Sequence, residues 1–469
     1  MNSIGRTEKI AKWGTLMDTR TTSLEAPTKK VFLLINRNFA LLWSGQVISM
    51  IGDFAFSITL TLWVATQIGR GQVWTPLAMS GILLAASIPV FIIGPAAGVF
   101  VDRWDRRRTM LWMDAVRVVL ILSLLLATGI VPLPITSQGH LSLVWPLGII
   151  YSVVFLESTC AQFFNPSRFA LIGAIVEKVD QGRASGLTQL PESLAFLVGP
   201  LLGTLLFFAV GVQWALILNA LSFGISFLTV LAVRIPQASM TVEGASEQQS
   251  GFFREFIEGI SFLMGQRVLR TLLISSLLLT LNEGVLNTLE IFFVTGNLHT
   301  SASLYGLLST DFGIGFILGA VLASRFLQLL NVAKYFWLVF VAEGMVILIY
   351  ARLTNFLPAL LMMFLFGILV GIVNSVIMLL TLQVTRQELL GRVMAVRTPI
   401  TTLALMLSAA LAGYLDSTLL RNFHTTVLNV ALGPVDSIFT LTGLLAIVGG
   451  LYAMIDLRHV IPAIRLDEE

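Results

Sequence analysis

The sequence predicts an all-α membrane protein of twelve transmembrane helices, arranged as two pseudo-symmetric six-helix bundles. Three observations lead there: a composition too apolar for a soluble fold, twelve recurrent apolar stretches, and a regular alternation of basic residues between the loops joining them. Of 469 residues, 56% are apolar and 12% charged, with a mean hydropathy of +0.88. So few charges cannot cover the surface that such a composition would expose to water.

The apolar stretches fall at roughly 39 to 66, 75 to 100, 109 to 131, 143 to 164, 188 to 210, 213 to 233, 270 to 296, 303 to 327, 334 to 351, 356 to 384, 399 to 420 and 436 to 457. Each is near or above the roughly 20 residues that cross about 30 Å of hydrocarbon. The longest are expected to tilt or to project past the bilayer.

Short cytoplasmic loops collect Lys and Arg, so the basic residues test the topology independently. Of 29, 25 fall in the amino-terminal segment, the even-numbered loops and the carboxyl tail. Arg70, Arg352 and Arg421 lie in odd-numbered loops, and Arg117 lies inside a span. Both termini are therefore expected to be cytoplasmic, in a multi-pass protein of the cell membrane. The net charge of +3 reads as topological and implies no nucleic-acid partner.

Residues 1–36 read as a retained cytoplasmic segment, being polar and lacking a small-residue cleavage site before a short apolar core. Within it, Lys29, Lys30 and the run Val31 to Ile35 suit either a short interfacial helix or an unstructured tail. The lone cysteine, Cys160, excludes an internal disulfide and reads as a packing residue. His140, His299, His424 and His459 all lie in loops or the tail, so no metal site or other cofactor is expected. Small molecules, protons and the bilayer are the expected partners, and the chain is expected to be a monomer.

Residues 235–267 form a linker, its polar stretch followed by an amphipathic run from Phe252 to Gln266. It separates an amino-terminal bundle, 37–234, from a carboxyl-terminal bundle, 268–457, with a tail at 458–469. The halves echo each other: Asn165 and Gly182-Arg183 recur 209 positions later as Asn374 and Gly391-Arg392, with Pro191 and Gly203 near the counterparts of Pro399 and Gly413. Internal repeats of this kind build alternating-access transporters, with the substrate held near the midplane.

Between spans two and three stands GVFVDRWDRRRTML, starting at Gly98. This resembles the cytoplasmic loop signature of the major facilitator superfamily. Gly98 permits close helix approach, Asp102 can accept from amides at a helix amino terminus, and Arg103 and Arg107 can bridge to acidic or carbonyl groups. The resemblance implies a cytoplasmic latch; the plainer alternative is a topogenic basic loop. The matching place in the second half, Gly319 to Arg325, lacks the acid. NRNFALLWSGQVISMIGDFAFSITL (36–60), FFNPSRFALIGAIVEKVDQGRASGL (163–187) and LGRVMAVRTPI (390–400) further resemble the macrolide and siderophore exporters, drug:proton antiporters with twelve spans. LVGPLLG, with Gly199, Pro200 and Gly203, resembles the span-five motif of such antiporters, with Ala195 where an earlier Gly is usual. Small residues at that spacing also serve plain close packing.

An ionisable group at the bilayer centre costs at least about 2.5 to 3.5 kcal/mol, so each one kept there invites a functional explanation. Asp53 falls in span one, Glu157 in span four, and Glu283 and Glu290 in span seven. By the resemblance, spans one, four, seven and ten line a central cavity, which would put these acids and Asn374 within reach of protons or a cationic solute. The alternative is that each is a paired structural group between helices. Arg117 has Asp114 three residues before it, a possible helical pair, although snorkelling to the cytoplasmic face is the favoured reading. Glu192, beside Pro191, is expected to open span five as a gate or cap, and Glu343 has no assigned role.

The function these features imply is proton-coupled export of an amphipathic or hydrophobic small molecule, with Asp53 and Glu157 exchanging protons. The alternative is a lipid or lysolipid flippase on the same fold without coupling. No His with Ser, Asp or Cys at catalytic spacing and no phosphate-cradling loop appears, so an enzyme is not expected.

Overall fold

Long apolar segments in hydrocarbon must satisfy their backbone hydrogen bonds internally, and this chain does so as helix nearly throughout. The computed structural model describes residues 34–127, 144–234, 252–326, 332–423, 425–427 and 430–457. Helix α1 (Arg37–Trp63) starts at Asn36, whose side chain accepts from the Phe39 amide at 2.8 Å, and ends in a π turn, Val64–Ile68. Helix α2 (Thr75–Ile92) contains Pro89 and continues as α3 (Gly94–Arg103). Helix α4 (Arg106–Ala127) is capped by Asp105, which accepts from the Arg108 amide at 2.7 Å. There follow α5 (Val144–Ile175), α6 (Gln181–Ala209), α7 (Val212–Ala232), α8 (Phe252–Gly265), α9 (Arg267–Phe292), α10 (Tyr305–Phe326), α11 (Val332–Tyr350), α12 (Phe356–Val384), α13 (Gln387–Tyr414) and α14 (Pro434–Leu457).

Ten helical stretches among the described residues are long and apolar enough to cross a membrane, which makes this a multi-pass membrane protein. The sequence reading expects twelve. Its third span corresponds to α4, which carries Arg106, Arg107, Arg108, Asp114 and Arg117; its ninth corresponds to Tyr335–Tyr350, a shorter apolar helix. Helix α8 occupies the amphipathic run. An antiparallel pair, β1 (Thr425–Val427) and β2 (Val430–Leu432), was not foreseen, because three-residue strands carry no readable period. The charged leader up to residue 33, linker residues 235–251, the tail from 458, His140, His424 and His459 lie outside the described residues.

Helices α1 to α7 pack among themselves, as do α9 to α14, and the pairings correspond. Helix α1 lies against α6 and α7 as α9 lies against α13 and α14; α4 lies against α5 and α7 as α11 lies against α12 and α14; α2 meets α5 as α10 meets α12. The last pair touches backbone to backbone. Gly315 and Gly319 face the Phe364 and Ile368 carbonyls, while Gly367 and Gly371 face those of Phe312 and Phe316. Between the groups, α2 packs on α13 and α6 on α10. Two ends can be told apart: a basic end, where α1, α4, α6, α9 and α13 begin, and a far end, where they finish.

Candidate functional site: a central cavity and a buried charge cluster

A cavity of about 770 Å³ lies between the two helix groups. Helix α1 offers it Phe54, Ser57 and Ile58; α6 offers Gln189, Glu192, Phe196 and Pro200; α9 offers Ser276, Thr280, Glu283, Asn287 and Glu290; α13 offers Arg397 and Thr401. Aromatic rings bridge the groups across its wall. Phe54 meets Phe196 edge-on at 5.5 Å between centroids, and Phe196 meets Phe312 and Phe316 at 5.9 Å each. Polar and apolar surface thus alternate around one space large enough for a drug-sized molecule.

Close helix contacts join the two groups at the far end. Gly306 of α10 faces the Pro200 carbonyl and Thr204 of α6, and a methyl group there would collide with both. Gly413 of α13 faces the Pro76 carbonyl of α2, where an added Cβ would sit 2.6 Å from the oxygen. The Leu77 amide donates to Ser417 Oγ at 3.2 Å across the same seam.

A second polar site lies inside the amino-terminal group. Arg117 Nε of α4 lies 3.4 Å from Glu157 Oε1 of α5, and their side chains are 6% and 20% exposed. The guanidinium is flanked by the rings of Phe164 at 5.2 Å and Phe223 at 5.0 Å. Asp53 of α1 has Glu157, Arg117, Asp114 and Asn219 as its neighbours. Ser226 of α7 donates to Asp114 Oδ2 at 2.7 Å, and Arg168 Nη1 of α5 donates to Gln46 Oε1 of α1 at 3.0 Å. Glu157 thus pairs directly with the guanidinium, and Asp53 and Asp114 lie within its electrostatic reach. Arg168 lies towards Glu192, at the cavity side.

The structure separates the five residues expected to share a cavity. Glu283, Glu290 and Asn374 line it; Asp53 and Glu157 do not. The reason is packing: α5 lies against α2 and α4, which turns Glu157 to Arg117, and Asp53 is one helix step from Phe54, about 100° around α1. Arg117 does not snorkel; it is buried in its ion pair. Glu192 does not open a span, because α6 begins at Gln181 and carries it into the cavity wall. Of the loop signature, Arg107 donates to the Val230 and Leu231 carbonyls, the first at 3.1 Å, and Arg106 to the Ala170 carbonyl at 3.3 Å, so both fasten α4 within its own helix group. Arg103 is exposed, and the surroundings of Gly98 and Asp102 lie outside what is described. Gly199 and Gly203 seat α6 against Phe54 and the Ala55 backbone of α1.

Sequence reasoning missed Arg168, Gln46 and Arg397 as site residues. Both arginines had been assigned to basic loops beside Pro166 and Pro399, but α5 and α13 run straight through those prolines. Glu343 is fully buried next to Asn282, and neither of its oxygens has a hydrogen-bond partner among the described residues.

Membrane-crossing helices packed in corresponding groups around one central cavity define a membrane transporter by architecture. Solved structures agree on the fold: the nucleoside transporter NupG aligns with a TM-score of 0.64 at 11% identity, covering 89% of this chain and 99% of that one. A bacterial homologue of the iron transporter ferroportin, in its inward-facing state, aligns with a TM-score of 0.63 at 14% identity, covering 89% and 97%. Residues 31–437 match the family model described as transmembrane secretion effector, so the chain belongs to that family of the major facilitator superfamily. Among its relatives is the uncharacterized MFS-type transporter YkuC of Bacillus subtilis (strain 168), 24% identical over 396 residues, 81% of this chain and 86% of that one. Macrolide efflux protein A of Streptococcus pyogenes is 25% identical over 236 residues, 50% of this chain and 53% of the relative. The putative bacilysin exporter BacE of Bacillus amyloliquefaciens is 25% identical over 283 residues, 60% and 64% of the two chains.

Proposed function

We propose that the protein exports an amphipathic or hydrophobic small molecule by proton-coupled alternating access. In this reading the helices form twelve spans in two six-helix halves, with both termini and the basic end in the cytoplasm of the cell. The repeated helix pairing between α1 to α7 and α9 to α14 supports the two halves, and the positive-inside rule supports the orientation. Closure at Gly306 and Gly413, with the cavity wall reaching Gln189 and Arg397 on the basic-end side, supports an inward-open state.

The single observation that carries the coupling is the cluster around Arg117. Asp53, Asp114 and Glu157 outnumber the one guanidinium within their electrostatic reach, an acid excess that a proton can neutralise inside the bilayer. Helix α1 carries Asp53 to this cluster and Phe54, Ser57 and Ile58 to the cavity, so a change in protonation at one face moves the wall of the other. Relatives bearing the names of a macrolide efflux protein and a putative bacilysin exporter support export as the direction and an organic amphiphile as the cargo.

The test is transport of erythromycin in proteoliposomes, with the drug on the basic-end side and acid on the far-end side. Wild-type protein is expected to accumulate the drug against its gradient only while the pH gradient lasts. Asp53→Asn combined with Glu157→Gln is expected to abolish that accumulation while leaving downhill movement. Movement indifferent to the gradient in the wild type would instead favour uncoupled flipping and sink the coupling.

A further inference from the structure

Three charges in the cavity wall have no charged partner of their own. Among the described residues, Arg397, Glu283 and Glu290 enter no ion pair, unlike Arg117, Arg267, Arg352 and Arg392. Glu290 is buried, and its Oε1 has no hydrogen-bond partner among the described residues. Glu192, the other cavity acid, lies within electrostatic reach of Arg168 but also enters no ion pair among the described residues. Glu283 is exposed to the cavity space and Arg397 is half-buried, whereas a charge at buried Glu290 is costly unless something of opposite sign meets it, and none of the described residues does so.

Along the wall that α9 and α13 form, the signs are also segregated. Helices α9 and α13 run in the same direction, and Gly284 faces Leu405 and Ser408. Arg397 therefore stands nearer the basic end than Glu283, by roughly 13 Å at 1.5 Å per residue. Glu290 stands a further two turns beyond Glu283, about 10 Å, towards the far end. Between the positive mouth and the negative interior lie the Phe54, Phe196, Phe312 and Phe316 rings.

We propose that the cavity selects zwitterionic amphiphiles: molecules whose anionic group meets Arg397 and whose cationic group, roughly 13 Å away across an apolar body, meets Glu283. This rests on the export reading and adds a substrate class to it. A carboxylate answers the guanidinium in bidentate fashion, and an ammonium answers a carboxylate from any direction, so linear peptides with free ends fit the arrangement.

The tetrapeptide Phe-Ala-Ala-Phe spans about 13 Å when extended, which matches the spacing. It is compared with its methyl ester, its N-acetyl form and its doubly capped form by thermal stabilisation of the full-length protein in detergent. The free peptide is expected to bind about tenfold more tightly than either singly capped form. Arg397→Gln is expected to erase its advantage over the ester and Arg397→Lys to keep part of it; Glu283→Gln is expected to erase its advantage over the N-acetyl form. Equal binding of the four forms, no binding of any, or an unchanged preference in Arg397→Gln overturns the proposal. Gradient-driven erythromycin transport by the wild type separates the two readings: its presence beside a failed peptide preference leaves export standing. A preserved peptide preference beside gradient-indifferent transport fails the coupling alone.

Discussion

Arg117 on α4 and Glu157 on α5 face each other at 3.4 Å, with the guanidinium between two phenylalanine rings and Asp53 and Asp114 close by. Removing the arginine leaves three carboxyls uncompensated. Arg117→Gln is therefore expected to lower stability by about 3 to 5 kcal/mol, the range for breaking a buried pair from one side. Adding Glu157→Gln should recover part of the loss. Melting temperatures in detergent of the two single variants and the double variant check this; additive losses would show that the two groups are not coupled.

Closure of the far end depends on two glycines. Gly306→Leu and Gly413→Leu each place a side chain where a carbonyl of the opposite helix group now sits. Both variants are expected to hold the far end open and to lose transport while still folding. The readout is a cysteine introduced by Phe54→Cys in a Cys160→Ser background. An impermeant thiol reagent applied from the far-end side should label it faster in the leucine variants, and unchanged labelling would dispose of the seal.

Glu343 is fully buried between helices with no ion-pair partner among the described residues, and Gly344 beside it packs on Gly443 of α14. A neutral amide has the same shape and can serve Asn282 equally well. Glu343→Gln is expected to change stability by less than about 1 kcal/mol, whereas Glu343→Lys adds a larger cation with no counter-charge and should prevent folding. Expression and melting temperature decide; a large loss in the Gln variant would show that the carboxylate is needed as a charge.

Orientation is checked by the same labelling in intact cells. Arg183→Cys at the basic end should resist an impermeant reagent, and Gly71→Cys, in the turn before α2, should react. The reverse pattern would invert the proposed topology.

Most helices were legible because an apolar run of 20 residues or so has few alternatives in hydrocarbon. The acids were legible too, since a carboxyl group in such a run stands out by its cost. Which way each acid faces was not. Asp53 and Phe54 are adjacent in the chain yet look to different sites, because packing against α6 and α7 sets the rotation of α1, and no hydropathy pattern records it. Arg397 was misread for another reason: Pro399 looked like the start of a span, but membrane helices tolerate interior proline, and α13 begins twelve residues earlier at Gln387. Arg168 was hidden in the same way by Pro166.

The account turns on protons leaving the cluster around Arg117 as substrate enters the cavity, and release can be measured directly. Erythromycin is added to purified protein in weakly buffered detergent solution containing a pH indicator, with binding followed in parallel by tryptophan fluorescence. The wild type is expected to release protons on binding, and Asp53→Asn with Glu157→Gln is expected to bind the drug and release none. Binding without release in the wild type, or equal release from the double variant, would contradict the coupling proposed for Asp53 and Glu157.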